Sequence, residues 1–86
     1  MKIIISHDAE KVLRKLDKKR RDNILEAIQG LATMPPKGDI KPLEGKPEGR
    51  YRLRVGAYRV VFRYGEDGSM IIVIILEIGP RGGIYK

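Results

Sequence analysis

The sequence predicts an α+β domain: an N-terminal strand and a helical hairpin packed on one face of a mainly antiparallel, four-stranded twisted sheet. Three observations predict it. Apolar residues recur at helical spacing between Ala9 and Leu31. At Arg50 the period changes to two and holds to Tyr64. Met70 to Ile78 is then almost continuously apolar, as a central strand covered on both faces is.

Lys2 to Ile5 is a short β-branched run that reads as a buried strand, and Ser6 or Asp8 offers an N-cap oxygen after it. Ala9, Val12, Leu13 and Leu16 form one apolar helical stripe. Asp17-Lys18-Lys19 breaks the stripe and reads as a tight connection between helices. Ile24, Ile28 and Leu31 resume it, with Ala27 and Met34 beside them, until Pro35-Pro36 stops the second helix. Lys37 to Gly49, rich in Gly, Pro and charge, reads as a loop that Leu43 pins to the core. Tyr51, Leu53 and Val55 then alternate with Arg50, Arg52 and Arg54. After the Gly56-Ala57 turn, Tyr58, Val60, Phe62 and Tyr64 alternate with Arg59, Val61 and Arg63. Asp67-Gly68 supplies the positive φ that a tight hairpin needs. Gly79 to Gly83 reads as a flexible segment before Ile84-Tyr85-Lys86. No repeat or linker divides the chain, so residues 1–86 are expected to form one domain.

Composition narrows the function. The 86 residues hold 18 Lys+Arg against 11 Asp+Glu, a net charge of +7, which favours an anionic partner such as nucleic acid, membrane or an acidic protein. Cysteine is absent, which excludes disulfides and thiolate zinc sites. The longest apolar run, Met70 to Leu76, is too short to span a bilayer, and no secretory signal or lipidation motif is visible. The expected location is the cytoplasm. With one histidine and no carboxylate cluster at ligand spacing, neither metal nor cofactor is expected. His7, where strand meets helix, reads as a local cap or surface residue. The glycines of 79–83 do not match a phosphate-binding loop.

The arginine alternation carries the chemistry. If Leu53 and Val55 face the helices, Arg52 and Arg54 face away, and Arg59 on the next strand falls near them. Such a cluster repels itself unless an anion relieves it, and a guanidinium matches the fork of a phosphate. Basic residues on an exposed strand face also guard sheet edges. Five arginines (Arg50, Arg52, Arg54, Arg59 and Arg63) in one hairpin, with no acidic residue between Arg50 and Tyr64, favour the phosphate reading, with RNA the leading candidate. Lys41 and Lys46 on the loop, with Arg50 and Arg63 on the strands, are the candidate RNA contacts. Tyr85 reads either as a terminal anchor on the sheet or as a phenol meeting phosphate, ribose or base.

The run Tyr51-Arg52-Leu53-Arg54-Val55-Gly56-Ala57-Tyr58-Arg59-Val60-Val61-Phe62 resembles the core signature of the RelE/ParE superfamily of toxins from toxin–antitoxin modules. Lys41-Pro42-Leu43-Glu44-Gly45 upstream and Ile78-Gly79-Pro80-Arg81-Gly82-Gly83-Ile84-Tyr85 downstream are similar to flanking parts of the same pattern. The resemblance implies the RelE fold, related to that of microbial ribonucleases. It also implies a metal-independent endoribonuclease that cuts messenger RNA in the ribosomal A site by attack of the ribose 2′-OH. The implied partners are a cognate antitoxin, the ribosome and mRNA. Arg59 and Arg81 would brace the phosphate, and Tyr85 would act as base or positioning group. Arg52 and Arg54 stand where studied relatives carry lysines, and arginine, protonated to a pKa above ~12, is the poorer proton donor. Pro80 and Ala57 also depart from the pattern. A ParE-like poison of DNA gyrase, or a catalytically weak RNA-binding homologue, shares the resemblance.

Overall fold

The computed structural model describes residues 1–45 and 49–80. The elements are β1 (Lys2–Ile5), α1 (His7–Lys15), α2 (Lys18–Gly30), β2 (Asp39–Pro42), β3 (Tyr51–Val55), β4 (Tyr58–Asp67) and β5 (Met70–Pro80). The strands form one sheet in the order β1-β5-β4-β3-β2, antiparallel except for β1, which runs parallel to β5.

Local chemistry sets the helices. Ser6 is the N-cap of α1: its hydroxyl accepts from the Ala9 N–H at 3.1 Å and donates to the Leu76 carbonyl at 2.8 Å. One side chain thus caps the helix and ties it to β5. Asp17 caps α2, accepting from the Arg20 N–H at 3.4 Å, so the expected connection between helices is only a residue or two long. Desolvation pushes the Asp17 pKa up, but the Arg20 hydrogen bonds and charge together outweigh it and hold the carboxyl below the usual range. Helix α2 ends at Gly30, earlier than the prolines suggest. The Leu31, Ala32 and Thr33 N–H groups tighten onto the carbonyls of Ile28, Gln29 and Gly30, and Met34 projects into solvent at 75% exposure instead of joining the stripe.

The sheet has five strands, not four. The additional strand is β2, inside the stretch expected to be a loop. Ile40 points to the core, while Leu43, the expected pin, stays outside the core cluster. Gly38, at φ 121°, turns the chain into the strand. Because β2 is an edge strand, Pro42 at its end costs little pairing.

The helices cover one face of the sheet. Ala9, Leu13, Ile24, Ile28 and Leu31 pack on Leu53, Val60, Phe62, Val73, Ile75 and Ile78. Tyr51 stacks on Phe62 at 5.7 Å between ring centroids, and Tyr64 meets Phe62 edge-on at 5.6 Å. The pairing of β4 with β5 carries one irregularity: Val61 faces Glu77 but Phe62 faces Ile75, leaving Leu76 as the extra residue of a bulge. That bulge lets both Ile75 and Ile78 reach the core.

Candidate nucleic-acid interface

Alternation places Lys41, Arg52, Arg54, Arg59, Val61 and Arg63 on the face turned away from the helices, since their strand neighbours Ile40, Leu53, Val60 and Phe62 pack in the core. Arg54 and Arg59 are direct cross-strand partners. Directly opposed residues have Cβ atoms about 4.5–5.5 Å apart, and like charges there repel. Arg54 is exposed and Arg59 half-buried. Arg63 is exposed further along β4, opposite Ile74, and Lys41 is exposed on β2, opposite Arg52.

Arg52 differs from its neighbours. It is 8% exposed, and its guanidinium donates to the Asp39 carbonyl at 3.1 Å and pairs with the Asp39 carboxylate at 3.3 Å. Part of its charge is thus answered within the protein, and its geometry fastens β2 to β3. Arg50 precedes β3, half-buried, and its Nε is buried with no hydrogen bond among the described residues. Lys46, Arg81 and Tyr85 lie outside the described residues. Gly79, next to the last residue of β5, faces Arg59.

The face is less open than the charge pattern suggests. Val61 and Ile72 are buried, at 1% and 8% exposure, although neither belongs to the helix-facing core. They give the arginine face an apolar floor, where charge interactions are stronger than in water. Acids share the face near the arginines: Asp39, opposite Arg54, and Glu77, opposite Val61. Neither was singled out by the sequence reading. Asp39 sat in a presumed loop, and Glu77 in an apolar run with no visible period.

The helix side holds different features. The Tyr64 hydroxyl donates to the Leu31 carbonyl at 3.2 Å. Burial, followed by the nearby Tyr51, pushes its pKa above the usual tyrosine value. A groove of about 400 Å³ runs between α2 and the β3–β4 turn, lined by Asp17, Arg20, Asn23, Val55, Gly56 and Tyr58. Among the described residues no group of three or more acids or histidines is placed to hold a metal ion, and no helix is long and apolar enough to cross a membrane.

Comparison with known proteins agrees with this architecture. Residues 3–85 match the model of the ParE toxin of type II toxin–antitoxin systems. Among solved structures, the chain is similar to the YoeB/ParE toxin from Agrobacterium tumefaciens, with TM-score 0.78 and 20% identity, covering 93% of this chain and 98% of that one. A chain of the archaeal RelE–RelB complex from Pyrococcus horikoshii OT3 superposes with TM-score 0.71 at 31% identity, covering 95% and 96%. A chain of the RelBE2 toxin–antitoxin complex from Mycobacterium tuberculosis gives 0.73 at 26%, covering 93% and 96%. Among curated proteins none matches. With a family model spanning nearly its whole length and a fold shared with RelE and YoeB proteins, the chain belongs to the ParE toxin family of type II toxin–antitoxin systems, within the RelE/ParE superfamily.

Proposed function

We propose that this toxin is a ribosome-dependent endoribonuclease that cuts mRNA in the A site through attack of the ribose 2′-OH on the adjacent phosphate. The observation that carries the reading is the direct pairing of Arg54 with Arg59 on the face away from the helices. Two arginines opposed across neighbouring strands gather positive charge at one place on the face, which favours a phosphodiester there. The resemblance in sequence adds Arg81 as a second brace for the phosphate and Tyr85 as base or positioning group. Lys41, Lys46, Arg50 and Arg63 extend the basic surface along the RNA. Arg52 contributes field and holds β2 in place.

The partner in the cell is a cognate antitoxin. The solved RelE–RelB and RelBE2 complexes support this, as does a surface whose net charge suits an acidic segment. Both proteins are expected in the cytoplasm, where the ribosome is.

Primer extension on mRNA in a cell-free translation reaction, with and without ribosomes, tests the activity. Wild-type protein is expected to give cuts that need the ribosome and fall at A-site codons. Arg59→Ala and Arg81→Ala are each expected to slow cleavage by about 10²–10³-fold, the usual effect of removing one preorganised donor to a developing oxyanion. Intact mRNA with wild-type protein rules the reading out.

The ParE family match favours a second reading, a poison of DNA gyrase. Inhibition of gyrase supercoiling with mRNA left intact selects it. Ribosome binding with neither effect leaves a binding homologue without catalysis.

A further inference from the structure

We infer that Glu77 is the general base that takes the proton from the attacking 2′-OH, which leaves Tyr85 the positioning role of the two named for it; the inference rests on the ribonuclease reading above. Transfer of that proton needs a group that can accept one, and the arginines that crowd this face stay protonated. Asp39 is engaged by Arg52. Tyr64 is on the helix side, its hydroxyl committed to Leu31. Glu77 is exposed, and no hydrogen bond or ion pair among the described residues engages its carboxylate.

Its position follows from the bulge. Val73 and Ile75 point into the core, so strict alternation would send residue 77 there as well. The extra residue Leu76 resets the phase: Ile78 takes the core position and Glu77 turns to the arginine face. Bulges beside active sites re-aim side chains in this way. On that face Glu77 opposes Val61, which opposes Arg52, while the next row runs Arg54, Arg59, Gly79. Glu77 is therefore a diagonal neighbour of Arg59, about 7–8 Å away by ladder geometry and within reach of long side chains. A phosphate held by Arg59 has its neighbouring ribose hydroxyl beside Glu77, over the buried methyls of Val61.

The step balances without a further reagent. The 2′-oxygen forms a bond to phosphorus as its proton passes to the Glu77 carboxylate. The P–O5′ bond breaks, the departing oxygen takes a proton from water, and Glu77 returns its proton to solvent. The products are a 2′,3′-cyclic phosphate and a 5′-OH.

A surface glutamate that merely tempers arginine repulsion predicts the opposite behaviour, and this separates the two roles. Removing a negative charge next to a phosphate site strengthens RNA binding, so a bystander Glu77→Gln binds ribosomes tighter and cleaves at least as fast. For a base, single-turnover cleavage at saturating toxin falls about 10²–10⁴-fold in Glu77→Gln. Ribosome affinity is kept or improved, and the acid limb of the pH–rate profile disappears. Glu77→Asp retains that limb at reduced rate. The other ionisable groups around Glu77 are Arg52, Arg59 and Arg63, which do not titrate, and His7, one residue beyond the Ser6 that bonds the Leu76 carbonyl. His7→Gln is expected to leave the acid limb in place. Wild-type cleavage matched in rate and pH profile by Glu77→Gln overturns the role of Glu77 and leaves the ribonuclease reading standing. Absence of cleavage by the wild type removes that reading, and the assignment of Glu77 with it. A circular-dichroism melt of each variant confirms that the fold is intact.

Discussion

Tyr64 shows how much one hydroxyl settles at the residue scale. It donates to the carbonyl of Leu31, where α2 has just ended and no helical partner remains. Tyr64→Phe keeps the ring against Phe62 and leaves that carbonyl unpaired, at a cost of about 1 kcal/mol. Burial and the neighbouring Tyr51 raise the folded-state pKa above the ordinary 10.0. The stability tied to the neutral phenol is therefore fully present below that value and is lost as pH rises through the folded-state pKa. In urea titrations the gap between wild type and Tyr64→Phe is expected at neutral pH and to narrow as pH climbs above 10.0. A gap that stays constant with pH would show that the phenol proton is not linked to folding. Arg52 and Arg54 make the complementary point. They are indistinguishable in an alternating sequence, yet one is buried against Asp39 and the other is exposed. The acid that separates them comes from β2, whose strand character the composition of 37–49 concealed.

At the element scale β2 is the least expected feature and the easiest to perturb. Its entry depends on Gly38, whose φ of 121° other residues rarely adopt. A Cβ there would stand 2.6 Å from Leu53 Cδ1, and Leu53 is buried in the core. Gly38→Ala is expected to cost about 1–3 kcal/mol. A domain of this size loses roughly 4–8 °C of Tm per kcal/mol. Calorimetry reads the loss, and faster amide exchange at Ile40 locates it. An unchanged melt would mean that β2 contributes nothing to the cooperative unit. The other elements were legible for plain reasons. The apolar stripes of α1 and α2 have helical period, Ser6 is a strong N-cap, and the Arg/apolar alternation of β3 and β4 admits only a strand with one face covered. The end of α2 was not legible, because the chain tightens at Gly30 before the prolines act.

Over the whole molecule the dominant quantity is the charge of +7, concentrated in part on the sheet face opposite the helices. Association with ribosomes is expected to weaken steeply with salt, with log Kd rising linearly in log salt concentration. Arg54→Ala is expected to weaken binding and to lower that slope by about one, as for a single phosphate contact. Filter binding at several salt concentrations measures both, and an unchanged slope would place the RNA on another surface.

By itself the sequence determined the class of the fold, the order of most elements, the basic face and the family. Period, capping residues and charge are local properties, and a close signature in one hairpin carries the resemblance. Only the tertiary structure decided which charges on that face are answered and which acids join it. Asp39 meets Arg52 because β2 pairs with β3, a contact between segments separated by a charged loop. Glu77 joins the arginines because Leu76 bulges. Within an apolar run every register looks alike, and the facing of one glutamate is set by how the neighbouring strand pairs with it.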